Sequence, residues 1–108
     1  MGIYGGCLLM SIKTKKRKPT HPGAILREDV LPGLGISQAE LADRLGVSRR
    51  TVSQIIHENR PIRADMAIRL AHFLETTSES WLNMQQVLDI WELERKNARV
   101  YEQIEKIA

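Results

Sequence analysis

The chain has 108 residues, 43% of them apolar, 27% charged and 5% aromatic, with a net charge of +3 at pH 7. That is the size of one ordinary domain with a small aliphatic core, and the composition excludes a disordered or fibrous chain. No apolar run reaches the roughly 18 residues of a bilayer span, and the single cysteine, Cys7, excludes an internal disulfide or a multi-cysteine zinc site, so the chain reads as cytoplasmic.

The charge is unevenly spread. Residues 1–74 hold 12 Lys/Arg against 6 Asp/Glu, and residues 75–108 hold 4 against 7. A basic front and an acidic rear suggest that one face meets an anion and the other does not.

Residues 1–10, MGIYGGCLLM, lack the order of a signal peptide, because glycines interrupt the apolar run and the basic residues follow it. Met1 and Met10 both stand as starts. Lys13, Lys15, Lys16, Arg17 and Lys18 form a run without an acid, either a solvated arm or an arm touching phosphates. Residues 1–20 are therefore expected to be an extension and a flexible basic arm, 21–95 a domain of five helices, and 96–108 a tail whose weaker apolar pattern allows a helix.

The first helix is expected to start at Pro22, with Ile25, Leu26 and Val30 as its apolar stripe, and to stop near Leu31, because Pro32, Gly33 and Gly35 follow. Ser37 is an N-cap with Glu40 three residues on, and Leu41, Ala42 and Leu45 form the buried face of the second helix. Gly46 supplies the left-handed residue that ends it, and Val47 packs the turn. Ser48 caps a third helix burying Val52, Ile55 and Ile56, which Asn59 is expected to end by taking positive φ before Pro61. A fourth helix is expected over about 64–74, with Met66, Ala67, Leu70, Ala71 and Leu74 on one face. A fifth, capped by Thr77 or Ser78, is expected over about 79–95. The ordered part contains no useful period-2 strand.

Residues 37–60, SQAELADRLGVSRRTVSQIIHENR, carry the function. Two serine-capped helices with a Gly-Val turn between them form the layout of a helix-turn-helix, whose second helix enters the DNA major groove. The outward side of that helix carries Arg49, Arg50, Ser53, Gln54 and His57. Arginine pairs in bidentate fashion with guanine and glutamine with adenine, so Arg49, Arg50, Ser53 and Gln54 are the expected base readers. Gln38, Ser48, Thr51, Asn59 and Arg60 are the expected phosphate contacts. Two capped helices joined by Gly-Val also occur in ordinary bundles, where Arg49 and Arg50 would be solvated charges only.

In the fifth helix Trp81, Met84, Leu88 and Trp91 fall within about 80° of one another, and Val87, Ile90, Leu93 and Leu82 widen the apolar arc. One side suits the domain and the other a second copy. Trp81, Leu88 and Trp91 are the expected dimer-interface residues, with core membership an equal option for Trp81. A homodimer would set two recognition helices about 34 Å apart on an inverted-repeat operator. No catalytic reading arises. His21, His57 and His72 lie apart without metal-ligand spacing, no glycine-rich phosphate loop follows a strand, and no cofactor is expected.

The segment 21–88 resembles the HigA/VapI-type antitoxins of the lambda-repressor-like (XRE) helix-turn-helix class. The matching pieces are HPGAIL at 21–26, GISQAELADRLGVSRRTVSQII at 35–56, RPI at 60–62, ADMAIRLAHFL at 64–74 and SWLNMQ at 80–85. The resemblance implies an all-α, five-helix lambda-repressor-like fold. It also implies an antitoxin that represses its own operon and neutralises a RelE/HigB-like toxin that cleaves messenger RNA. A stand-alone repressor of the same fold is the competing reading. The chain departs from the family in three places. Ala24 stands where an acid is usual. His57-Glu58-Asn59 replaces a turn that usually carries Asn-Gly, putting an acid near the expected backbone contact. Arg63 stands where a Ser or Thr cap is common, with Asp65 as the compensating first-turn acid.

Overall fold

The computed structural model describes residues 17–107. The extension, Cys7, Met10 and most of the basic arm lie outside the described residues, as does Ala108. Every regular element among the described residues is helical.

The first helical rod comprises α1 (Pro22–Ile25), a π-helical turn (Leu26–Val30) and α2 (Leu31–Leu34). It does not stop near Leu31 as the Pro and Gly residues suggested. Leu31 N–H donates to Leu26 O, five residues back. This extra residue in the ladder lies just before Pro32, whose ring and missing N–H an unbroken α-ladder would not accommodate. The rod ends instead at Gly35, at φ +67°.

The next two helices, α3 (Gln38–Leu45) and α4 (Arg49–Ile56), form as their caps dictate. Glu40 N–H donates to Ser37 Oγ and Ser37 N–H donates back to Glu40 Oε1, both at 3.1 Å. Gly46 ends α3 at φ +72°, and Arg69 Nη1 donates to the α3 carbonyl of Leu45 at 2.7 Å. Ser48 Oγ accepts from Thr51 N–H at the start of α4.

Helix α5 spans Ala64–Leu74 and has no side-chain cap; Asp65 in its first turn pairs with Arg69 at 2.8 Å. Thr77 caps α6 (Ser78–Lys96), and α7 (Ala98–Glu102) follows. Leu41, Ala42, Ile56 and Leu70 are fully buried at the centre, and Ala42 lets α3 and α4 approach closely.

The apolar stripe on α6 faces this core. Trp81 is 4% and Leu88 2% exposed within the protomer, and Trp81 Nε1 donates to Thr76 Oγ1 at 2.9 Å. With their surface spent inside and the indole N–H satisfied there, Trp81 and Leu88 are core residues and not interface anchors. Trp91 is half-buried, with Arg95 stacked on its ring at 4.4 Å. The apolar groups that α6 leaves outside are Val87, Ile90 and Leu93.

Candidate nucleic-acid interface

Helix α4 is two-sided. Val52, Ile55 and Ile56 are buried, which turns the opposite side outward. Arg49 and Arg50 are exposed at its first turn, and Ser53 and Gln54 are half-buried further along. Among the described residues the side chains of Arg49, Arg50 and Gln54 make no hydrogen bond or ion pair. His57 bends back on its own helix, where Nδ1 lies 2.8 Å from Ser53 O and 3.4 Å from Ser53 Oγ. An Nδ1–H there is a second donor to a carbonyl that already accepts the His57 backbone N–H at 3.0 Å.

The expected phosphate contacts do not form one group. Thr51 Oγ1 lies 2.8 Å from Ser48 Oγ, and Arg60 Nη1 donates to Thr51 Oγ1 at 3.0 Å. Arg60 follows α4 in sequence but folds back beside its start, where the unpaired N–H groups of the first turn also lie. A hollow of about 340 Å³ beside this chain is lined in part by Thr51, Arg60 and Arg63. Gln38, half-buried, opens α3, and Asn59 is exposed. Asn59 does not take the left-handed turn. Glu58 does, at φ +64°, while Asn59 N–H donates to Gln54 O at 2.8 Å to close the helix.

Three side chains that hold this surface were not singled out by sequence as its supports. His21 Nδ1 accepts from Gly23 N–H at 2.8 Å, capping α1, and the ring lines a hollow together with Glu58 and Arg60. Burial pushes its pKa below the ordinary histidine value, outweighing the opposing pull of Glu58. Gly23 sits so close to α4 that a Cβ would lie 1.8 Å from Ile55 O. Arg27 Nη1 donates to Ile56 O at 2.6 Å, and the same guanidinium meets Glu58 Oε2 at 3.3 Å and Glu28 Oε2 at 3.0 Å. Gln85, buried on α6, accepts from Ile62 N–H at 2.9 Å and donates to Asp89 Oδ1 at 2.9 Å. The His-Pro-Gly entry thus braces the end of α4, and α6 holds the segment that carries Arg60. No local spacing in the sequence pairs Arg27 with Ile56 or Gln85 with Ile62.

Among the described residues no cluster of His, Cys, Asp and Glu is arranged to hold a metal ion. Nor is any helix there long and apolar enough to cross a membrane.

The profile of the helix-turn-helix family matches residues 26–82. The transcriptional regulator YbaQ of Escherichia coli K12 is 43% identical over 89% of this chain and 84% of its own length. Virulence-associated protein I of Dichelobacter nodosus is 42% identical, over 75% of this chain and 77% of that protein. The antitoxin HigA of Pseudomonas aeruginosa, solved with the higBA promoter, superimposes with a TM-score of 0.78 at 40% identity, covering 83% of this chain and 99% of that one. With the profile spanning more than half of the chain and the described helices sharing the lambda-repressor-like arrangement, the chain belongs to the helix-turn-helix family as a HigA/VapI-type member.

Proposed function

We propose that the chain is the DNA-binding antitoxin of a toxin–antitoxin module. It binds an inverted-repeat operator as a homodimer, represses the operon that encodes it and neutralises a RelE-like toxin in the cytoplasm. Its activity is recognition, and no catalytic step is assigned to it.

The observation that carries this reading is the outer side of α4. Two guanidinium groups and a carboxamide stand there without side-chain partners among the described residues, on a helix braced from behind by Gly23 and Arg27. Arg49, Arg50, Ser53 and Gln54 read base edges, and Ser48, Thr51 and Arg60 hold the phosphates beside the first turn. Gln38 and Asn59 complete the backbone grip from either side. The HigA structure solved with the higBA promoter, at 40% identity, supports the DNA role. The toxin and its RNA-cleaving chemistry rest on the family alone.

A gel shift with the DNA upstream of the gene tests the proposal. Arg49→Ala or Gln54→Ala should lose roughly 1–3 kcal/mol of preference for that DNA over a scrambled sequence. Arg60→Ala should weaken both DNAs alike and flatten the salt dependence. Equal weakening of both DNAs by Arg49→Ala and Gln54→Ala would remove the base-reading role. YbaQ, at 43% identity, is named only as a transcriptional regulator, which keeps a stand-alone repressor as the second reading. Co-purification of the protein encoded by the adjacent gene separates the two.

A further inference from the structure

The acid at Glu58 is misplaced for a DNA-binding surface. It follows the His57 that caps the end of α4, takes positive φ, and stands two residues before Arg60. A carboxylate turned toward phosphates there would be repelled. Its neighbour across the fold is Arg27, in the π-helical turn. Arg27 Nη1 and Nη2 both reach Glu58 Oε2 at 3.3 Å, and the same Nη1 donates to Ile56 O at 2.6 Å.

We propose that Arg27 is a positioning residue for DNA recognition. It fixes the end of the recognition helix through Ile56 O and pins the Glu58 carboxylate against the first helical rod, away from the DNA. One guanidinium fork makes both contacts, which a lysine's single ammonium point cannot reproduce. Glu28, at 3.0 Å, holds the fork from its other side. The pair also accounts for an acid in a turn where glycine would be free of strain, because the contacts of Arg27 hold Glu58 in place.

The inference rests on the operator-binding reading and is tested by a double-mutant cycle on the full chain. Operator affinity is measured for wild type, Arg27→Met, Glu58→Gln and the double variant, each checked for helical content at the assay temperature. Arg27→Met should weaken operator binding about tenfold, the scale of a lost hydrogen bond from a charged group. Glu58→Gln alone should change it by less than about threefold, as an exposed ion pair implies. In the Glu58→Gln background the loss caused by Arg27→Met should shrink by at least about threefold, because the unpinned side chain no longer carries charge. An equal loss in both backgrounds would reduce Arg27 to a helix cap and overturn the pinning role.

If Arg27→Met does not fold, Arg27→Lys gives the same cycle. Its loss should appear with Glu58 in place and fade in the Glu58→Gln background, and a background-independent loss overturns the proposal. Wild-type protein that fails to retain operator DNA would sink the operator reading and this inference together. Wild-type retention without coupling sinks this inference alone.

Discussion

At His21 one buried imidazole caps α1 through Nδ1 and lines a hollow together with Glu58 and Arg60. Accepting from Gly23 N–H requires Nδ1 to be unprotonated, and burial opposes charging the ring, so the folded chain favours the neutral form. Its pKa is therefore lower folded than unfolded. The unfolded state binds more protons below the ordinary value of 6.5. The His21 contribution to stability is complete above that pH and declines as pH falls through the depressed folded value. Urea unfolding at pH 7 and pH 5 should show a larger loss for wild type than for His21→Asn, whose amide oxygen can still cap α1 without titrating. Equal losses in the two proteins would remove His21 from the acid response.

Elements were legible where their signals are local. Ser37 and Glu40 stand three residues apart and cap α3 as read, Ser48 starts α4, and Gly46 takes the left-handed turn between them. The end of the first rod was not legible, because a π-helical turn admits Pro32 where an α-ladder would break. Neither was the end of α4. Asn is the better residue for positive φ by propensity, but Arg27, far away in sequence, holds Glu58 there. Helix α5 ends on a second residue of this kind, Glu75 at φ +57°, with its N–H donating to Ala71 O. This position has no counterpart of Arg27 among the described residues. Glu75→Gly should relieve the left-handed penalty and raise stability by about 1 kcal/mol. The check is a urea midpoint that rises at unchanged m-value; an unchanged or lower midpoint would show that the backbone there carries no strain.

At the scale of the whole molecule, periodicity established that α6 has too many apolar residues for one face but not which face the core takes. Trp81, Gln85 and Leu88 turn inward because Ile62 N–H needs Gln85 and Thr76 receives the indole of Trp81. Those contacts join residues of different elements and leave no repeat to read. The outward side keeps Val87, Ile90 and Leu93, which are 37%, 47% and 48% exposed. A second copy packed on this side would bury them and join two readers in one particle, as an inverted repeat requires. Trp91, half-buried at the margin, would sit at the edge of that contact. Ile90→Glu places a charge in the middle of the proposed seam while leaving the core-facing side of α6 untouched. It should cost about 2 kcal/mol or more of association, and light scattering should then report a 12.3 kDa protomer where wild type reports twice that mass. The same variant should bind an isolated half-site as wild type does and lose the advantage of the full operator, because only the pairing of the two readers has been removed. A variant that remains dimeric would move the two-fold contact away from α6, and the exposed groups Val100, Tyr101, Ile104 and Ile107 beyond it become the next surface to substitute.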